Sequence, residues 1–269
     1  MEVLCNQSSP TAPELHILYE DNHCLAVVKP PGLLTQGVPA GIPTLEGMVK
    51  EYIKHRYHKP GNVYLGIPHR LDRPVSGVVL FARNSKAASR LAEQFQNRKV
   101  RKLYWAVVEG SVEPDQGEWH DWLLKVPEEA RAVCVAAEAP GAKEALLRYR
   151  KLREISAPGP AAVSDVAAKN RSAPMSLSLL EIEPVTGRMH QIRVQAARRG
   201  WPVVGDALYG ATLPFGPLAE LPRDRIIALH ARSLTFLHPI RYEPITLTAP
   251  LPTVWSETFT DLIPPPKPL

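Results

Sequence analysis

The stretch Pro68-His69-Arg70-Leu71-Asp72-Arg73-Pro74-Val75-Ser76-Gly77, running into Val78-Val79-Leu80-Phe81-Ala82-Arg83, decides how this chain is read. Its first ten residues make an irregular loop. Pro74 fixes a backbone angle and removes a donor, and Gly77 permits conformations closed to other residues. The six residues that follow are a short apolar run bounded by turn residues, the pattern of a buried strand. One carboxylate, Asp72, stands among His69, Arg70 and Arg73. Positive neighbours keep a carboxylate ionised and so able to act as nucleophile or base. The same cations can receive phosphates. An Asp beside arginines is also a common structural ion pair or turn cap, so the loop alone leaves both readings open.

Outward from this loop the chain alternates strands and helices. Residues 16–21 and 23–30 read as a hairpin turning at Asp21-Asn22, followed by a loop over 29–37. Thr44 reads as the N-cap of a helix reaching about Tyr57, with Glu46 in its first turn. Leu45, Met48, Val49, Tyr52 and Ile53 recur in it at helical spacing. Ser85 is read as the cap of a second helix with the stripe Ala88, Leu91, Ala92 and Phe95. Residues 102–109, 146–152 and 177–183 read as strands. The expected fold is α+β, a mixed and largely antiparallel sheet with flanking helices. Residues 14–262 are expected to form one domain, between a polar tail (1–13) and a Pro-rich end (263–269). The Ala/Ser/Pro-rich stretch 156–174 is expected to be an exposed insertion between two paired strands.

Composition narrows the function. A net charge of +5 and a pI near 9.1 suit a polyanionic partner, although 27 acidic residues mean that position matters more than total. No apolar run reaches the ~18 residues of a membrane span, and the N-terminus lacks the basic and apolar regions of a secretory signal. Cys5, Cys24 and Cys134 are odd in number and far apart, so neither a disulfide framework nor a zinc site is expected. A cytoplasmic location follows as the expectation, with no metal and no cofactor.

Two further segments carry charge or rings. Thr186-Gly187 turns the chain and opens a helix ending near Gly200, whose Arg188, His190, Arg193, Arg198 and Arg199 make it basic. Such a helix start can bind phosphate, or it can be a solvated face. In Arg101-Lys102-Leu103-Tyr104-Trp105, strand alternation sets Tyr104 on the face opposite Leu103 and Trp105. It is then either a core residue or a platform for a stacked base.

Together these segments resemble the RluA-type pseudouridine synthases. HRLDRPVSGVVLFAR is similar to that family's signature loop, KLYWAVVEG to its Lys-x-Tyr strand, and VTGRMHQIRVQAARRGWPVVGDALYG to its TGR-x-HQIR segment with the following GD-x-LYG. YEDNHCLAVVKPPGLLT resembles its opening hairpin and IIALHARSLTFLHP its Leu-His-Ala strand, all in family order from about residue 17 to 240.

The resemblance implies a pseudouridine synthase fold with a central basic cleft, and cofactor-free isomerisation of uridine in rRNA or tRNA. It implies Asp72 as the catalytic aspartate, Tyr104 stacked under the uracil, Arg193 paired with Asp72, and Arg70 touching or propping open the RNA. His69, Arg73, Arg101, Lys102, Arg188, His190 and Arg199 are the further RNA-contact candidates. RNA is the expected partner, the chain a monomer, and no S4 module is expected. Val75, Met189 and Gln195 depart from the family's usual Thr, Thr and His, which bears on substrate detail. Asp206, in GDALYG, is read as a structural turn residue. Two rival readings are a non-catalytic RNA-binding or RNA-folding protein using the same cleft, and an RNA N-glycosidase, which lacks its usual second acid.

Overall fold

A computed structural model describes residues 15–37, 41–157 and 175–264. The apolar run after Gly77 is β3 (Ser76–Ala82), buried along its whole length. It pairs antiparallel with β2 (Cys24–Lys29), which forms the expected hairpin with β1 (Ile17–Glu20). On its other side β3 meets β9 (Leu229–Leu237) in a short parallel pairing, Ser76 opposite His230 and Gly77 opposite Ala231. The sheet continues through β4 (Arg101–Glu109), β8 (Met175–Pro184), β7 (Lys143–Ala157), β5 (Gln116–Val126) and β6 (Arg131–Val135), with β10 (Pro244–Thr248) beside β9. Among the described residues the other named strands all pair antiparallel. The mixed, largely antiparallel α+β fold is therefore present.

Period-two alternation builds the core. Leu25 and Val27 on β2, with Val79 and Phe81 on β3, point into one apolar cluster. Cys24, Ala26, Val78, Leu80 and Ala82 point into another on the opposite face. Both faces are covered, which is why β3 reads as an unbroken apolar run.

The helices are α1 (Leu45–Arg56), α2 (Ser85–Gln96), α3 (Gln191–Arg198) and α4 (Thr253–Thr258). Thr44 caps α1 as expected, its side chain accepting from Gly47 N at 3.1 Å. The cap of α2 is Asn84, not Ser85: the Asn84 amide oxygen accepts from Ala87 N at 2.9 Å, and Ser85 is already helical. Its buried residues are Ala87, Leu91 and Gln94; of the expected stripe Leu91 is buried, Ala88 and Phe95 pack partly buried against the core, and Ala92 is exposed. Gln94 tolerates burial because its amide both donates to Leu237 O and accepts from Leu237 N.

Strands β7 and β8 outrun their expected limits and pair with each other from Leu147–Pro184 to Ala157–Met175. Strand β7 takes up residues 156 and 157 of the expected insertion, and residues 158–174 lie outside the described ones, as do those at 1–14, 38–40 and 265–269. No described helix is long and apolar enough to cross a membrane.

Candidate active site

The loop bearing Asp72 is irregular, so its backbone needs partners from elsewhere. The 29–37 loop supplies them. Thr35 Oγ1 donates to Leu71 O at 2.8 Å and accepts from Leu71 N at 3.3 Å, and Gly32 N donates to Arg73 O at 2.8 Å. Lys29 is fully buried, yet its ammonium donates to Pro30 O (3.0 Å), Leu33 O (2.7 Å) and Arg73 O (3.1 Å). Burial pulls its pKa down to about 7, against the opposing charge of Asp72. Lys29 was not among the expected site residues. Its place at the end of β2 was visible in the sequence, but the three carbonyls it gathers were not.

Asp72 itself is 27% exposed and opens into a cavity of about 640 Å³. Tyr104 and Arg193 line the same cavity, so the three expected catalytic residues meet. Tyr104 lies on central strand β4, opposite Ile182 on β8 and Ala231 on β9. A bulge between Leu103 and Tyr104 shifts the β9 register just there, a device that re-aims a side chain. Lys102 and Tyr104 both line the cavity, as alternation requires. Burial and the charge of Asp72 push the Tyr104 phenol above its ordinary value, so it stays protonated.

Arg193 stands as an ion partner of Asp72, as expected, but without a direct hydrogen bond. Its Nη1 stands 3.7 Å from Asp72 Oδ2, beyond hydrogen-bond range. Its tight partner is Asp206, through Nε to Oδ2 at 2.6 Å and Nη2 to Oδ1 at 2.8 Å, both side chains being buried. A planar guanidinium held through Nε and Nη2 along one edge has its remaining nitrogen, Nη1, left to face Asp72. Burial works against this cation, but Asp206 and then Asp72 hold its pKa above the usual value. Asp206 is thus more than a turn residue. With both oxygens occupied and 1% of its side chain exposed, it is not free to serve a water.

The loop carrying Asp206 is latched in turn by Glu109 at the end of β4. Glu109 is buried and accepts from Thr212 N, Leu213 N and the Thr212 hydroxyl at 2.7, 2.7 and 2.9 Å.

His190 reaches the same carboxylate. Its Nε2 is 3.7 Å from Asp72 Oδ2 and its Nδ1 is 2.9 Å from the Tyr209 hydroxyl. It precedes α3 in the left-handed region (φ 51°), uncommon for a residue with a Cβ. The turn before it is fixed by Gln191, whose Oε1 accepts from Thr186 Oγ1 (2.7 Å) and Arg188 N (3.0 Å). Burial lowers the pKa of His190, partly offset by Asp72.

The remaining candidates divide. Arg70, Lys102 and Arg188 line the cavity, and among the described residues Arg70 and Lys102 have no carboxylate partner. His69 also lines it but offers no charge. Its Nε2 accepts from Leu80 N at 2.9 Å, its ring stacks on Phe95, and desolvation drops its pKa to about 3. Arg73 faces an adjoining cavity of about 610 Å³ and is tied to Asp224 at 2.5 Å and to Gly32 O. Arg101 and Arg199 line neither. Arg101 pairs with Glu183 at 3.0 Å, while Arg199 pairs with Asp121 at 2.8 Å and lies over Trp119.

Among the described residues one group of metal-type ligands lies within 4.8 Å of itself: Asp21 and Cys24 at the β1–β2 turn, with His238 just after β9. Asp21 and His238 are already engaged by neighbouring groups. Asp21 accepts from His23 N, Cys24 N, Tyr19, His238 and Arg241, and His238 Nδ1 accepts from Ile240 N and Arg241 N.

The chain is similar to known proteins over most of its length. The family described as RNA pseudouridylate synthase matches residues 23–198. A tRNA pseudouridine synthase C from Vibrio cholerae is 31% identical over 247 residues, covering 92% of this chain and 95% of that one. The dual-specificity RNA pseudouridine synthase RluA of Vibrio vulnificus is 32% identical, covering 86% and 80%. In structure, human RNA pseudouridylate synthase domain containing 4 superposes with a TM-score of 0.68 at 23% identity, covering 92% of each chain.

Proposed function

The chain belongs to the RNA pseudouridylate synthase family, RluA type, and is an isomerase that converts uridine to pseudouridine in RNA; from that premise we propose that Asp72, Tyr104 and Arg193 carry the reaction. The observation that supports this most is their convergence on one open cavity, with Asp72 between a buried arginine and a protonated phenol.

The reaction breaks the C1′–N1 bond, turns the freed uracil and joins C5 to C1′. A nucleotide must first leave its stack, at a cost of a few kcal/mol. Tyr104 recovers part of this by stacking under the base, on the order of 1–3 kcal/mol. Asp72 then acts at the ribose, by attack at C1′ or by taking the C2′ proton. Arg193, anchored by Asp206, holds the aspartate in its charged, oriented form. Arg70, Lys102 and Arg188 receive the phosphates around the mouth.

Relatives named tRNA pseudouridine synthase C match nearly end to end, which supports a transfer RNA as substrate. The chain is taken to act as a monomer, with residues 14–262 as one catalytic unit. Free thiols at Cys24 and Cys134 suit a reducing cytoplasm. The test is a transcript pool of transfer and ribosomal RNAs incubated with the purified chain and mapped for pseudouridine. New pseudouridine in transfer RNA is the expected result, and modification confined to ribosomal RNA contradicts the substrate assignment.

A further inference from the structure

Isomerisation has a last step that needs a base. Once C5 is bonded to C1′, it still carries its hydrogen, and N1 is doubly bonded to C6. A base must take the C5 proton; the C–H pair then becomes the C5–C6 double bond, the C6–N1 π pair moves onto N1, and N1 takes a proton from water. In that intermediate C5 is attached to the ribose carbon beside which Asp72 works. The base must therefore stand next to Asp72.

Within 4.0 Å of the Asp72 carboxylate, the described nitrogens of basic side chains are Arg193 Nη1 and His190 Nε2, each at 3.7 Å. A guanidinium has no lone pair to offer and is not deprotonated in proteins. The Tyr104 phenol keeps its proton. We propose that His190 is a second catalytic residue, the base that removes the C5 proton after the new glycosidic bond has formed. It rests on Asp72 acting at the ribose.

The proton inventory around the imidazole supports this. The Tyr209 hydroxyl accepts from Ala132 N at 2.9 Å and donates to Ala132 O at 3.2 Å. In the tautomer in which the hydroxyl proton goes to Ala132 O, the hydroxyl accepts from His190 Nδ1–H at 2.9 Å, and the Nε2 lone pair faces Asp72 and the cavity. The backbone cost of the left-handed His190 is met by this placement. On gaining a proton the imidazolium would lie beside the Asp72 carboxylate, which stabilises it. The other charges facing the ring are Arg193, Asp206 and Arg70, and their signs oppose one another.

The experiment uses transfer RNA transcribed with ordinary UTP or with UTP deuterated at C5, under single turnover. His190→Asn and His190→Gly both suit a left-handed position. Each is expected to bind RNA normally and to turn over roughly 10²-fold more slowly. Each should also show a larger hydrogen/deuterium rate ratio than the native enzyme, because proton removal has become limiting. Added imidazole should accelerate His190→Gly. Two results overturn the proposal: native speed in either variant, or slow turnover with equal rates on the two RNAs and no imidazole effect. Asp72→Asn serves as the separate control. If it turns over, the assignment of Asp72 fails whatever His190 does.

Discussion

At the residue scale the site is a chain of restraints: Glu109 holds the loop of Asp206, Asp206 holds Arg193, and Arg193 faces Asp72. Removing one partner of a buried ion pair leaves the other charge uncompensated, at about 3–5 kcal/mol. Asp206→Asn is therefore expected to lower unfolding stability by that order and to reduce kcat more than it changes KM. Urea unfolding and steady-state kinetics check both halves, and an unchanged kcat would detach Arg193 from the chemistry. Tyr104 makes a different demand, for ring area and not for its hydroxyl. Tyr104→Phe is expected to stay within about tenfold of native kcat/KM, whereas Tyr104→Ala loses the stacking contribution of on the order of 1–3 kcal/mol. That Asp72, Tyr104 and Arg193 come together at one cavity was legible in the sequence through their motifs. The Asp206 lock and the His190 contact were not, because each depends on which rotamer a fork or ring adopts once two distant segments fold together.

At the element scale the decisive joint is β3 against β9. Gly77 has φ 123°, and a Cβ there would lie 2.3 Å from Ala231 O and 2.6 Å from Ala231 N. Backbone cannot give way as a flexible side chain does, so Gly77→Ala is expected to cost about 2–4 kcal/mol and to displace the Asp72 loop. Thermal unfolding and activity should fall together; a variant as stable as native contradicts the close approach. Beside it, His230 bonds Ser76 at 2.8 Å and burial holds its pKa down to about 4. His69, at about 3, behaves alike. An unfolded chain takes these protons near the ordinary value of about 6.5, so their stabilising effect is complete above that pH and is lost as pH falls towards 4. The unfolding midpoint should drop over that window, and less steeply in His69→Gln, as denaturation at pH 5 and 7 would reveal. Strands with strong apolar runs, β2, β3 and β4, were readable in advance. Strands β5, β6 and β10 were not, since polar residues such as Glu118, His120 and Lys125 hide their period and pairing alone defines them.

For the whole molecule the question is how a chain of net charge +5 grips RNA. Its cations are not equivalent. Arg101 and Arg199 are spent on Glu183 and Asp121, while Arg70 and Lys102 face the cavity without carboxylates among the described residues. Each phosphate contact contributes about 0.7–0.9 to the salt dependence of log affinity. Arg70→Ala and Lys102→Met should each flatten that slope, and Arg101→Ala and Arg199→Ala should leave it unchanged, in binding titrations across ionic strength. Total charge predicted a polyanionic partner, but only the fold separates cations held by neighbouring carboxylates from those open to solvent. On the proposed mechanism one carboxylate in this cavity, Asp72, starts the rearrangement. Its most direct measurement is tritium release from RNA labelled at uracil C5, comparing the native chain with Asp72→Asn at matched RNA occupancy. Release with an intact RNA chain from the native protein, and none from the variant while it still binds, is the predicted result. Continued release by Asp72→Asn, or free uracil from the native protein, would contradict it.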